Sequence, residues 1–249
     1  MGLLKNDTFI CLDCETTGLE ADKDRIIEVA AVIFKGDEIL NTYETLIDPE
    51  LLISPESIEI HHITDAMVAG KPKIHEILPD LLKFIGRHII VGHGIPFDIA
   101  FIGNNAKRLS IPCNISSQQY IDTLRLARLY GESPINSLEK LRQHFNIAAE
   151  GAHRAMNDVM VNIEVFKFLT QNYKTTEQIL ERLKKPILLK NMPLGKHKGR
   201  PFSEIPNEYL QWASNKDFDQ DLMFSIRSEL KKRKSGSLFG QIANPFSTL

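Results

Sequence analysis

This 249-residue sequence predicts a mixed α/β fold: a five-stranded sheet of three antiparallel strands followed by parallel ones, helices on its faces, and a small basic unit after it. Three features predict it. Residues 9–47 hold three runs rich in β-branched and apolar residues. Residues 54–173 alternate helical periods with short continuous apolar runs, as helices covering a buried sheet require. Charge then changes sign: residues 1–183 carry 18 Lys and Arg against 26 Asp and Glu, and residues 184–249 carry 12 against 6. An acidic body with a basic end suits a carboxylate-rich site with a polyanion-binding extension, although a solvated lysine-rich surface has the same composition.

Phe9 to Glu15 alternates as a strand should, with Ile10, Leu12 and Cys14 on one face and Cys11, Asp13 and Glu15 on the other, and Thr16-Thr17-Gly18 ends it. Arg25 to Phe34 and Ile39 to Ile47 form a hairpin across Lys35-Gly36-Asp37-Glu38. Ser54-Pro55 starts a helical stretch, and Ile74 to Ile85 repeats its apolar residues at helical spacing, with a break or kink predicted at Pro79. Ile89-Ile90-Val91 reads as a buried strand before Gly92, and Pro96 opens a helix through about Leu109. Gln119 to Asp122 is a second short strand leading into a helix over Thr123 to Tyr130. Ser137 caps Leu138 to Phe145, and Asn157 to Tyr173 is a long helix with Val159, Ile163 and Phe166 on one face.

The expected organisation is a first domain over 1–173, a helical linker over 174–190 containing a helix from Thr175 to Lys184, a small basic module over 191–232, and a flexible tail over 233–249. The 43% hydrophobic content is enough for a sizeable core. No apolar run reaches the ~18 residues of a membrane span and Met1 to Phe9 lacks the pattern of a secretory signal, so the cytoplasm is the expected compartment. Three cysteines, an odd number, predict free thiols. Cys11 and Cys14 have C-x-x-C spacing, but the strand points them to opposite faces, so they cannot share a zinc ion or close a disulfide without leaving it.

Asp13 and Glu15 project side by side, and two carboxylates that close repel unless protonated, hydrogen-bonded or bridged by a cation. Alone, the pair fits a solvated strand face better than a site, since surface strands often carry alternating acids. Two further stretches give it meaning. His93-Gly94-Ile95-Pro96-Phe97-Asp98 puts an acid at the start of a helix directly after a buried strand, where α/β sheets keep their sites. His153-Arg154-Ala155-Met156-Asn157-Asp158 puts a histidine five residues before an acid, which places His153 in a loop or first turn, able to swing over a metal held by Asp158.

Together the three stretches resemble the DEDD exonucleases of the ribonuclease H-like fold, in the subgroup with a histidine in its third motif, over about residues 7–173. Within that family, the Glu15-Thr16-Thr17-Gly18 form is most similar to the proofreading epsilon subunits of bacterial DNA polymerase III. The resemblance implies a 3′-to-5′ exonuclease using two divalent ions, Mg²⁺ or Mn²⁺. Asp13 would bridge both, Glu15 and Asp158 would complete the first set, Asp98 would support the second, and His153 would act as general base. It also implies nucleotide contacts from the Thr16, Thr17, Gly18 and Leu19 turn, from His61 and His93, and from Phe97, for which a core role is equally compatible. His62 stands where a glycine is usual, and Gly94 where an asparagine commonly follows the histidine. The implied partners are single-stranded or frayed 3′ ends of DNA, with RNA as the alternative substrate, and a replicative polymerase subunit. A binding module with a vestigial site is the non-enzyme alternative, against which the retention of all five residues argues.

Met192 to Trp212 resembles a small module appended to some exonucleases and also found alone, the quorum-sensing-regulated virulence factor family. Lys196, Lys198 and Arg200 form a basic turn suited to nucleic-acid contact, while Tyr209 and Trp212 are expected in a small core. Ser235-Gly236-Ser237-Leu238-Phe239 is similar to the second half of the bacterial sliding-clamp-binding motif through Leu238 and Phe239, with Ser235 in place of the usual glutamine. So short an apolar match arises often by chance.

Overall fold

β1 (Phe9–Thr16), β2 (Ile26–Lys35) and β3 (Glu38–Leu46) are where alternation and β-branching predict strands, and they pair antiparallel as two successive hairpin neighbours. The computed structural model describes residues 3–132, 135–148 and 154–242, and the side chains of all of these except 236–242. β4 (Ile89–Gly92) and β5 (Tyr120–Asp122) add parallel to the other edge of β1, giving the sheet order β3-β2-β1-β4-β5. The carboxyl ends of β1, β4 and β5 therefore open on the same edge, the place where ligands bind in open α/β sheets.

Between β3 and β4 lie α1 (Pro55–His61), α2 (Asp65–Val68) and α3 (Ile74–Ile85). Ser54 caps α1 by accepting the Ser57 N–H at 3.1 Å. The break expected at Pro79 does not occur: α3 runs through it. Proline removes one N–H from the ladder, and the burial of Ile77, Leu78, Leu81 and Ile85 offsets that loss. α4 (Pro96–Arg108) follows β4, and α5 (Thr123–Tyr130), α6 (Leu138–His144), α7 (Ala155–Thr170) and α8 (Thr176–Leu183) follow β5.

The pleat of β1 sorts the two cores. Phe9 and Cys11 face α7 in a cluster with Val32, Phe34, Val91 and Phe166, whereas Ile10, Leu12 and Cys14 face α3 and α4 with Leu78, Leu81 and Ile102. Cys11 and Cys14 are thus buried on opposite sides of the sheet as free thiols. Ile179 and Leu183 of α8 belong to the α7 core, so the first compact unit extends through Leu183, within the 174–190 stretch expected to join the two domains.

The second unit begins at Lys184 and contains α9 (Asn207–Ala213) and α10 (Gln220–Ile242). Its core is Met192, Phe202, Ile205, Leu210, Ala213, Leu222 and Ile226. α10 continues past the residues expected to begin a flexible tail. Arg233 explains this: it donates to the carbonyls of Ile205 and Phe202, both at 2.9 Å, and pairs with Glu229 at 2.8 Å, tying the basic run to the core loop. Among the described residues no helix is long and apolar enough to cross a membrane.

Candidate active site and metal centre

β1 carries Asp13 and Glu15 on one face, and the first turn of α7 brings Asp158 to them. One oxygen from each of the three carboxylates lies within 4.8 Å of the others. Burial, then the charges of Asp98, Glu15 and Asp158, pushes Asp13 well above the usual carboxylate range. Burial, then Asp158 and Glu28, raises Glu15 to about 8. Carboxylates this close cannot all ionise without a counter-charge, and an all-oxygen donor set suits a hard divalent cation.

Asp98, in the first turn of α4, lies beside this cluster and is only 4% exposed. Its Oδ1 accepts the backbone N–H of Cys14 at 2.9 Å, so it grips β1 at the residue between Asp13 and Glu15. Burial raises its pKa to about 7 against the lowering effect of that hydrogen bond.

The turn after β1 is built by its own hydroxyls. Thr16 Oγ1 donates to the Gly18 carbonyl at 2.6 Å; Thr17 Oγ1 donates to Asp24 at 3.1 Å and accepts the Arg25 N–H at 3.0 Å. Ser57 Oγ donates to the Thr17 carbonyl at 3.0 Å, joining α1 to the turn. Leu19 at its tip is 83% exposed. His61 accepts the Ile63 N–H on Nδ1 at 3.0 Å, which leaves a buried Nε2 with no partner. Burial lowers its pKa, so the ring is neutral and Nε2 carries a proton to donate. Phe97 is half-buried, its ring 4.7 Å from that of Phe101.

His93, expected at the nucleotide, is also tied into the protein. Its Nδ1 lies 3.1 Å from Thr123 Oγ1 and its Nε2 2.9 Å from the Asn136 carbonyl, so both ring nitrogens are engaged in holding the loop after β4. Burial pushes its pKa down to about 4. The signal available in the sequence, a histidine after a strand, does not separate a ligand from a buried brace. Gly94 has φ +73°, a left-handed conformation that admits glycine and, at some cost, asparagine, and its N–H donates to Asp122 at 2.9 Å. His153 lies outside the described residues.

Several supporting residues escape a reading of motifs. Glu28, opposite Glu15 on β2, is 1% exposed and accepts from Arg154 Nε at 3.1 Å and Nη2 at 2.6 Å. It also accepts the Ala155 N–H at 3.0 Å, capping α7 from a neighbouring strand where Arg154 has no capping oxygen to offer. A single acid inside the apolar run Ile26 to Phe34 was the sequence signal for it. Asn162, one turn beyond Asp158, accepts from Thr123 Oγ1 at 2.6 Å and donates to Cys11 Sγ at 3.4 Å, tying α7 to β1 and α5.

Residues 10–166 match the family model described as "Exonuclease", and residues 178–225 match that described as "Putative quorum-sensing-regulated virulence factor". The DNA polymerase III subunit epsilon of Aquifex aeolicus is 34% identical over 164 residues, covering 66% of this chain and 80% of that protein. The PolC-type DNA polymerase III of Clostridium perfringens is 34% identical over 170 residues, which is 68% of this chain but 12% of the polymerase. Among solved structures, exonuclease X in complex with 5′ overhanging duplex DNA superposes with a TM-score of 0.57 at 27% identity, over 70% of this chain and 98% of that one.

Proposed function

This chain belongs to the exonuclease family, and from that premise we propose that it is a metal-dependent 3′-to-5′ DNA exonuclease of the proofreading type, releasing nucleoside 5′-monophosphates. The observation that carries the proposal is the oxygen cluster of Asp13, Glu15 and Asp158 at the carboxyl ends of the parallel strands. Two divalent ions, Mg²⁺ or Mn²⁺, would supply Lewis-acid stabilisation of the attacking and leaving oxygens there. Asp13 would be shared between them, Glu15 and Asp158 would complete the first set, and Asp98 would support the second while holding the β1 backbone. His153, five residues before Asp158 and of a type that can be neutral at working pH with a reference pKa near ~6.5, would take the proton of the attacking water. The water oxygen bonds to the terminal phosphorus as the P–O3′ bond breaks, leaving a 3′-hydroxyl on the shortened strand.

The turn from Thr16 to Leu19 receives the terminal nucleotide, with the exposed Leu19 as an apolar wedge, Phe97 as a ring to stack on it and the unpartnered His61 Nε2–H as a donor. A replicative polymerase is the proposed partner, supported by the epsilon relatives. The match through Leu238 and Phe239, whose side chains are outside those described, is too short to support a clamp contact. Digestion of matched and mismatched DNA termini and of RNA, with Mg²⁺ or Mn²⁺, tests the proposal. Asp13→Ala is expected to abolish hydrolysis and His153→Ala to slow it by roughly a hundredfold or more. Undiminished activity in Asp13→Ala overturns the proposal, and faster hydrolysis of RNA than of DNA redirects it to an exoribonuclease.

A further inference from the structure

The core of the second unit closes without its tryptophan. Trp212, expected inside, is 51% exposed on α9, while Met192, Phe202, Leu210, Leu222 and Ile226 fill the interior. It is nevertheless held in place. Tyr209, one turn earlier, lies 5.3 Å from it between ring centroids, and the buried His197 packs edge-on against Tyr209 at 4.5 Å. The loop carrying His197 is fitted to the same ring: a Cβ on Gly195 would come within 2.9 Å of the Tyr209 hydroxyl. Lys196 and Lys198 flank the buried His197 in sequence and are exposed, and Lys216 Nζ sits 5.0 Å from the centre of the Trp212 ring.

We propose that this braced Trp212 and Tyr209 face, with Lys196, Lys198 and Lys216, is a binding surface for single-stranded nucleic acid, a base stacking on Trp212 and phosphates meeting the lysines. A flat exposed aromatic beside cations is the arrangement by which sequence-independent single-strand binding works. Charge complementarity selects that occupant: from Lys184 onward the chain carries 12 Lys and Arg against 6 Asp and Glu. The surface binds the same class of strand on which the proposed nuclease acts, and it rests on that proposal only for nucleic acid being the substrate class.

Trp212 is the only tryptophan of the chain, so emission excited selectively at tryptophan reports on this position alone. Full-length Asp13→Ala protein in EDTA is titrated with oligo(dT), oligo(U) and inorganic polyphosphate. Saturable quenching by one or both oligonucleotides and little by polyphosphate is expected. In anisotropy with labelled oligo(dT), Trp212→Ala weakens binding by roughly tenfold and Trp212→Phe by less. Lys198→Gln and Lys216→Gln, which keep the reporter, each flatten the salt dependence. Emission unchanged at oligonucleotide excess, or equal quenching by polyphosphate, overturns the inference. Because the titration is done without catalysis, such a result leaves the nuclease proposal standing. Conversely, quenching in the Asp13→Ala protein together with no hydrolysis by the wild-type protein in Mg²⁺ or Mn²⁺ removes the nuclease proposal and keeps the surface.

Discussion

Glu28 is an acid where the strand pattern asks for an apolar side chain, and its one strong counter-charge is Arg154, the residue before α7. The pair fixes the first turn of the helix that carries Asp158, so it acts on the site by position. Removing Arg154 strands a buried carboxylate next to Glu15 and Asp13, which already repel each other. Arg154→Met is expected to cost roughly 2–4 kcal/mol, the low end for orphaning a buried charge because the guanidinium is partly in water. Adding Glu28→Gln recovers part of that loss, since the orphaned charge goes while an acceptor for the Ala155 N–H remains. Urea melts of the two single variants and the double variant read the coupling. Equal, additive losses would refute it. None of this was legible in the third motif, because pairing across 126 residues of chain leaves no local pattern. The four acids were legible because strand pleat and helix starts are local properties that place Asp13, Glu15, Asp98 and Asp158 without knowledge of the partner element.

At the level of elements, the three-strand opening and the alternation after it follow from period and turn chemistry, and the structure differs where tertiary burial outweighs a local signal. Pro79 does not end α3, and α8 joins the first core through Ile179 and Leu183. His62 shows the reverse, a local signal with a measurable cost. It is the C-cap of α1 at φ 60°, ψ 15°, the left-handed conformation usually given to glycine, and its side chain is exposed. His62→Gly should therefore stabilise the protein by about 1 kcal/mol, because it relieves the Cβ strain and forfeits little packing. A urea midpoint raised at unchanged m-value checks this, and an unchanged or lowered midpoint would count against it.

The molecule as a whole carries a cost at its acidic edge that depends on pH and on cations. In metal-free protein Glu15 is raised to about 8 from a usual 4.5, so between those values the folded state holds a proton that the unfolded chain has released. With more protons bound in the folded state, stability must fall as pH rises across that window. Asp13 and Asp98, raised in the same direction, add to the trend, while His93, pushed down to about 4, opposes it only below its usual 6.5. A divalent cation reverses it: it binds the ionised carboxylates, competes better as protons leave, and stabilises the fold in proportion to the logarithm of its concentration over Kd. Thermal melts in EDTA should therefore show the midpoint dropping from pH 5.5 to pH 8.5, and Mg²⁺ or Mn²⁺ should raise it most at the alkaline end. Asp13→Asn/Glu15→Gln, neutral at both positions, should lose most of the EDTA slope above pH 7 and most of the response to metal together, with Asp98 keeping a share of the slope below that. If that variant keeps both, the pH dependence and the cation response arise elsewhere in the chain, and the repulsion among these acids is not what limits the stability of the metal-free fold.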